Sequence, residues 1–291
     1  MSNFAQNLII AMNKYIIISL VSSLILLCSC AQEFNAVYKS TDYSYRYEYA
    51  KEMYAKGKFS RASLLFGDMV TIMKGTDNGE ECLFLYGMSS YHAKDYETAA
   101  DVFKKYHSSY PSGRYAEQSC FLVGECLYAM VPEPRLDQTP TYQAMKAYQD
   151  YIDIYPYSEN KEKAEKTLYL LQDRLVYKEY LNAKLYYNLG TYFGNCTSGG
   201  NNYEACIVTS QNAIKEYPFT KLREDFAVLI MKSKFELALH SVKEKQAERF
   251  QDAEDECYGF INEYPESKDK EVAEKYIEKC KKYTQGTLDL D

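Results

Sequence analysis

Apolar and aromatic side chains recur every three or four residues along most of this chain, which is the spacing of one face of an α-helix. The pattern is clearest in residues 45–56 and 59–74, which a glycine-containing turn separates, and in residues 80–111. In the last of these, Gly87 lies among large apolar residues and lets two helices approach closely. The spacing therefore predicts antiparallel pairs of α-helices.

Four of the predicted helices end in the same phrase, a tyrosine, a proline and then a serine or threonine within two residues. Proline cannot continue a helix and biases the preceding residue out of the helical conformation. The hydroxyl that follows is predicted to cap the next helix. Helix pairs closed in this way are typical of tetratricopeptide repeats. The copies begin at Tyr110-Pro111, Tyr155-Pro156, Tyr217-Pro218 and Tyr264-Pro265.

We therefore predict an all-α tetratricopeptide-repeat solenoid over residues 41–283, with about five helix pairs and a C-terminal capping helix. Successive prolines of the phrase are 45, 62 and 47 residues apart, so the repeats carry insertions. The insertions are located at Val131–Gln138 and at Asn160–Tyr180, the latter a charged helix before the fourth repeat. Residues 284–291 are expected to be a flexible tail. The five pairs are assigned to residues 45–74, 80–111, 115–156, 181–218 and 222–265.

Residues 1–29 have the pattern of a lipoprotein signal peptide. Lys14 precedes an apolar run from Tyr15 to Leu27 that is too short to span a bilayer comfortably. A leucine three residues before Cys30 and a serine directly before it resemble the bacterial lipobox, where the signal is cleaved and the cysteine is lipidated. We predict a lipid, including palmitate, on Cys30, with residues 30–40 as a tether. An ordinary secretory signal or an N-terminal anchor helix is the alternative.

Composition and charge restrict the class of partner. The chain is 46% hydrophobic and 26% charged, which is typical of a globular protein, and its net charge is −7. No basic surface for nucleic acid is expected. An acidic chain is also repelled by anionic lipid, so membrane attachment is expected to depend on the lipid anchor.

The candidate chemistry is sparse. His92, His107 and His240 are scattered, and no metalloprotease, phosphate-loop or serine-hydrolase motif is present. Without these motifs we predict no catalytic residue and no cofactor. No C-x-x-C pair exists, so we also predict no metal. The cysteines beyond the signal are expected to pack in helix interfaces, although an oxidising compartment also permits a Cys196–Cys206 disulfide.

Tyrosine is the unusual component, with 31 residues against no tryptophan. Many tyrosines occupy interhelical positions, where packing with the hydroxyl toward solvent is the plain interpretation. Tyr43, Tyr45, Tyr47 and Tyr49 are spaced by two, and a helix cannot bury such a set on one face. Some of these rings are therefore expected to be exposed, and exposed rings can anchor a partner.

With the signal and the repeats in place, the chain resembles the BamD family of lipoproteins from the machine that assembles outer-membrane β-barrels. The resemblance covers about residues 34–283, and the long third-repeat insertion and extended fourth repeat make it more specific than repeat signatures alone. The phrases that carry it are Tyr47–Lys51, Leu136–Thr139, Tyr186–Gly190 and Asn262–Ser267.

The resemblance implies a lipid-anchored protein at the periplasmic face of the outer membrane. It implies that C-terminal repeats dock on the POTRA region of BamA, with Arg223, Glu224 and Lys234 as polar candidates. It also implies that N-terminal repeats receive segments of unfolded outer-membrane proteins around Tyr86 and Tyr91, and that other lipoproteins of the same complex are partners.

Two other classes remain open. One is a periplasmic repeat lipoprotein that coordinates division or other cell-envelope proteins. The other is a glycan-binding lipoprotein of the SusD type, which the absence of tryptophan disfavours because tryptophan is the strongest sugar-stacking residue.

Overall fold

The computed structural model describes residues 32–192 and 201–284 of the chain. The chain divides into two compact units, with the boundary between Met130 and Val131. Every regular element within the described ranges is an α-helix. None of these helices is both long and apolar enough to cross a membrane. The signal peptide, Cys30, Cys196 and residues 285–291 of the predicted tail lie outside the described residues, whereas Thr284, the first residue assigned to that tail, is the last residue of a helix.

The first unit stacks its helices in chain order. Each helix from α2 onward packs against the next, and α2 also contacts α4, as expected of stacked helix pairs. Its core includes Tyr47, Phe66 and Cys82, which are buried together. The helices are α1 over residues 32–38, α2 Tyr43–Ala55, α3 Phe59–Met69, α4 Gly79–His92, α5 Tyr96–Ser109 and α6 Ala116–Ala129.

The second unit repeats this arrangement. Each helix contacts the next, α8 also contacts α10, and α10 also contacts α12. One core cluster joins Val176, Ala183, Cys206 and Phe226 across three helices. The predicted all-α repeat fold is confirmed. The helices are α7 Thr139–Ile154, α8 Lys161–Leu189, α9 Asn202–Glu216, α10 Arg223–Leu239, α11 Lys243–Glu263 and α12 Lys270–Thr284.

The Tyr-Pro phrase ends α5, α7, α9 and α11, as predicted. In each copy the tyrosine amide still donates to a helical carbonyl, and the chain then leaves the helix. The prediction that the following hydroxyl caps the next helix was wrong in detail. Ser158 Oγ accepts from the Asn160 amide at 3.0 Å, and Thr220 Oγ1 from the Leu222 amide at 3.1 Å, so both stabilise the turn before the helix begins.

The insertion at residues 160–180 does not form a separate helix. It continues without a break into the fourth repeat as α8, a single helix of 29 residues. No glycine or proline occurs within α8, so nothing in its sequence interrupts the helix. The helix ends at Gly190, whose φ of +50° favours glycine, and a Cβ there would lie 2.6 Å from the Tyr203 hydroxyl oxygen.

The tether over residues 30–40 is also shorter than predicted. Residues 32–38 are helical, and Val37 is buried in the core of the first unit. The ring of Phe34 lies 5.2 Å from the Arg61 guanidinium. These contacts were missed because seven residues are too few to show a helical period.

Candidate partner-binding surfaces

A groove runs along the first unit between α3 and α5, with α4 at its floor. It consists of three adjoining depressions with volumes of 470, 290 and 360 Å³. The first two share Gly67, Tyr86 and Thr98. The second and third share Val70, Leu83 and other residues, so the three are continuous. Together their linings run from Ser60 to Gly75 on one side and from Ala93 to Tyr110 on the other.

Tyr86 forms part of the groove floor because the facing position is a glycine. A Cβ built on Gly67 would lie 3.0 Å from the Tyr86 ring, so the ring occupies the space that another residue would fill. Burial and the carboxylate of Asp95 both raise the pKa of Tyr86, which keeps its phenol neutral. Tyr86 is therefore a half-buried ring with an intact hydroxyl, open to the groove.

The two ends of the groove differ in charge. Asp68 and Asp95 line one end, whereas Lys74 and Lys105 line the other. Asp68 is ion-paired with the buried Arg46, so part of the acidic end is already neutralised within the unit. The basic end is the more open to an anionic partner group.

Tyr91 does not share this surface with Tyr86. Five residues on an α-helix turn through about 140°, so the two rings leave α4 on different faces. The Tyr91 ring lies 5.6 Å from both the His92 and Tyr96 rings and is absent from the groove lining. Burial and Glu125 raise its pKa. The structure therefore does not bring the two predicted client contacts together, and each stays a prediction.

Arg223 and Glu224 begin α10 in the second unit. Arg223 Nε lies 3.0 Å from Glu263 Oε1, and the Tyr264 hydroxyl donates to the same oxygen at 3.0 Å. These contacts join the start of α10 to the end of α11. Glu224 is half-buried beside them. The cluster is half exposed, and the predicted contact of Arg223 and Glu224 to a partner stays a prediction.

Lys234 lies three turns further along α10, in the interface with α11. Its Nζ lies 2.7 Å from Glu256 Oε2 and 3.0 Å from Asp252 Oδ1, and its side chain is only 14% exposed. Burial alone would lower the pKa of Lys234, but the two carboxylates raise it by more, so the net pKa is raised. Lys234 therefore joins two helices, and its predicted contact to a partner stays a prediction.

The cysteines in the described ranges are all buried, in agreement with the packing interpretation. Burial raises the pKa of Cys82, Cys126, Cys257 and Cys280 to about 12, which leaves these thiols protonated and unreactive. Because Cys196 lies outside the described residues, its bridge to Cys206 stays a prediction. Within residues 32–192 and 201–284, no group of His, Cys, Asp or Glu is placed to hold a metal ion.

The four tyrosines of α2 differ in burial, as their spacing of two residues requires. Tyr47 and Tyr49 are buried, whereas Tyr43 and Tyr45 are exposed. The Tyr47 hydroxyl donates to Glu81 at 2.6 Å, so one ring of the four joins α2 to α4. The prediction that some of these rings reach the surface is confirmed.

The sequence pattern singled out Tyr86 but not the other residues of the groove that it lines. Gly67 and Thr98 lie on the preceding and following helices, and neither residue, taken alone, indicates a groove. The sequence signal that could have indicated the groove is the pairing of a small residue on α3, Gly67, with an aromatic residue on α4, Tyr86.

Comparison with known proteins gives one family. The model of the YfiO family, described as outer membrane lipoprotein, matches residues 39–197. A putative outer membrane protein assembly factor BamD from Aquifex aeolicus is 26% identical over 181 residues, 59% of this chain and 56% of that protein. The outer membrane protein assembly factor BamD of Caulobacter vibrioides is 22% identical over 154 residues, 53% and 50% of the two chains. The chain thus spans about half the length of the relatives it matches.

Proposed function

Because the chain belongs to the YfiO family of outer membrane lipoproteins, we propose that it is a non-enzymatic scaffold of outer-membrane protein assembly. Lipid on Cys30 would hold it at the outer membrane, facing the periplasm. The observation that carries the proposal is the family match over residues 39–197, more than half of the chain. The names of the two relatives, both assembly factors, support the same role.

The client surface that we propose is the groove of the first unit. An extended segment of an unfolded β-barrel protein alternates apolar and polar side chains. The Tyr86 ring supplies an apolar contact, while the hydroxyls of Ser63 and Thr98 line the groove and can pair with backbone groups. Lys74 and Lys105 would attract an acidic or C-terminal carboxylate group of the client. No cofactor is needed for this binding.

The second unit is the proposed contact to the POTRA region of BamA and to other lipoproteins of the complex. Arg223 and Glu224 present both signs of charge at the start of α10, and their surroundings remain half exposed. Charged groups at the edge of an interface fix its register more than they add affinity. Lys234 would act on the same surface indirectly, by holding α10 against α11.

Depletion tests the function as a whole. When the protein is depleted, β-barrel proteins should fall in the outer membrane, while an unrelated outer-membrane lipoprotein should stay constant as the control. BamA should co-purify with the full chain after gentle solubilisation. Unchanged barrel levels would overturn the proposal. Co-purification of division proteins, or retention on a glycan column, would instead favour the repeat coordinator or the SusD-like class.

The client groove has its own test. A photo-crosslinking residue at Leu64, which lines the groove and is exposed, should capture newly exported barrel proteins. The same residue at Tyr45, exposed on α2 and outside the groove lining, is the matched control. Equal capture at both positions would remove the groove from the proposal and leave the scaffold role standing.

A further inference from the structure

The second unit contains two neighbouring helices of unequal length. α7 has 16 residues and α8 has 29. At a rise of about 1.5 Å per residue their lengths are about 24 and 43 Å. They pack against each other across the short turn that follows Ile154, so α8 extends well beyond the start of α7.

The loop before α7 marks the point along α8 beyond which α7 no longer covers it. Arg174 donates to the Pro132 carbonyl oxygen, and Lys178 Nζ lies 3.3 Å from the Leu136 carbonyl oxygen. The loop is therefore held against the middle of α8. About three further turns of α8 follow Lys178 before Gly190.

Those last turns of α8 are covered on one side only. Ala183 is buried in a cluster with Cys206 and Phe226 of α9 and α10. On the other side, Tyr177, just before these turns, is 44% exposed, and Leu185 within them is 55% exposed. Together with Leu181 they form a stripe with a spacing of four residues, which places them on one face of the helix.

This stripe forms the floor of a groove with a volume of 540 Å³. Arg135 of the loop and Lys184 of α8 line it, and the Lys184 ammonium lies 5.7 Å from the centroid of the Tyr180 ring. The other lining residues are tyrosine, leucine and asparagine, with no carboxylate among them. In a chain with 41 acidic and 34 basic residues, a lining with only positive charges is selective for an acidic partner.

We propose that this groove, lined by Arg135, Tyr177, Leu181, Lys184 and Leu185, docks an acidic amphipathic helix of a partner protein. Apolar side chains four residues apart on that helix would interdigitate with the stripe. Carboxylates beside them would face the Arg135 guanidinium and the Lys184 ammonium. The docked helix would lie alongside the last turns of α8, where α7 no longer covers them.

A helix fits this surface better than an extended segment. An extended segment needs partners for its backbone amides and carbonyls, and α8 satisfies its own backbone hydrogen bonds internally. Asn182 and Asn188 are the only side-chain amides in the lining. A helix arrives with its own backbone hydrogen bonds made and needs only a matching apolar face. The inference is independent of the proposed function, because it concerns the chemistry of the docked segment and not the complex that carries it.

Photo-crosslinking in intact cells tests the occupant. A crosslinking residue at Leu185 of the full chain should react mainly with one protein segment, identified by mass spectrometry, that has apolar residues four apart and an excess of Asp and Glu. The matched control is Tyr169, which is on the same helix, more exposed and outside the groove lining. Crosslinks to a second copy of this chain, to its own residues 285–291 or to lipid would overturn the proposal. So would a pattern equal to that at Tyr169.

Charge reversal tests the recognition itself. The double variant Arg135→Glu with Lys184→Glu should reduce the yield of the Leu185 crosslink about tenfold or more, because like charges facing each other across an interface oppose association. Lys146→Glu with Lys166→Glu makes the same change in net charge at exposed positions of α7 and α8 outside the groove lining, and should leave the yield unchanged. Equal yields from both double variants would refute an electrostatic site. Barrel-protein levels, measured in the same cells, separate this result from the proposed function.

Discussion

Replacing Lys234 with methionine removes the ammonium that joins α10 to α11 and keeps an apolar side chain of similar length. The two carboxylates that contact Lys234 differ in their surroundings: the Glu256 side chain is 27% exposed and that of Asp252 is 63% exposed. Loss of the ammonium leaves Glu256 without its cation in the partly buried interface. Asp252 is instead hydrated by solvent.

The magnitude follows from this difference. A hydrogen bond to a charged group contributes about 1.5–3 kcal/mol when it is sheltered from water, whereas an exposed ion pair contributes about 0–1 kcal/mol. We therefore expect Lys234→Met to lower the free energy of unfolding by about 1.5–2.5 kcal/mol. Glu256→Gln should account for most of that loss, and Asp252→Asn should cost about 0.5 kcal/mol or less.

Urea unfolding of the detergent-solubilised full chain, followed by far-ultraviolet circular dichroism, measures these losses. Lys275→Met is the matched control, since Lys275 is 71% exposed and its Nζ lies 4.0 Å from Glu271 on the outer helix α12. That variant should cost less than about 0.5 kcal/mol. If Lys234→Met costs no more than this control, Lys234 does not hold the two helices together, and its surface role becomes the better interpretation.

The pH dependence has a definite sign. The carboxylates raise the pKa of Lys234 above its usual value of 10.5, despite the opposing effect of burial. A group whose pKa is higher in the folded state stabilises that state fully below its unfolded-state pKa, and the contribution is lost as pH rises through the folded-state pKa. The stability difference between the natural chain and Lys234→Met should therefore be constant near neutral pH and shrink as pH rises into the alkaline range. A difference that shrinks on acidification to mildly acidic pH would contradict this assignment.

Three further predictions concern a close glycine contact, a buried ion pair and the lipidated cysteine. Gly87→Ala would place a Cβ 2.6 Å from a ring carbon of the facing phenylalanine of α5 and should cost about 1–3 kcal/mol. Gly259→Ala, in open space on α11, should instead stabilise the protein by about 0.5–1 kcal/mol. Thermal unfolding compares the two variants. Arg46→Met should cost about 1.5–3 kcal/mol, because it removes the charged hydrogen bond between the buried guanidinium and a half-exposed carboxylate of α3, and urea unfolding measures the loss. Cys30→Ala should abolish labelling by a palmitate analogue that Cys28→Ala retains; persistence of the label in Cys30→Ala would refute the assigned lipid position.

The helices of both units were readable because two independent signals agree. The apolar period shows which residues face a neighbour, and the Tyr-Pro phrase shows where four of the helices stop. Where the Tyr-Pro phrase was missing, the predicted helix was right but the boundary assigned at its end was not. α8 has no proline or glycine at its centre, so the expected change from insertion to repeat at residue 181 has no physical cause.

The candidate surfaces were less readable, since they depend on residues far apart in the sequence. Tyr86 stands at an aromatic position of its repeat, yet its place in the groove floor depends on Gly67 of the preceding helix. Lys234 looked like a surface cation because its pairing residue Asp252 is 18 positions away on another helix. Spacing along one helix predicts which face a residue occupies, but not what the next helix presents to that face.

The unequal lengths of α7 and α8 explain why the open stripe persists in the fold. The fold needs the last turns of α8, because they contain Ala183, which is buried against α9 and α10. The same turns present Leu181 and Leu185 on their other face, where, among the described residues, the groove is lined by α8 itself and by Arg135. Leu185 is 55% exposed, so a polar residue at this position would satisfy the fold equally well. Leu185→Gln should therefore leave the free energy of unfolding unchanged and weaken only the docking of a partner helix. Truncation of α8 would instead destabilise the fold and also remove the docking surface.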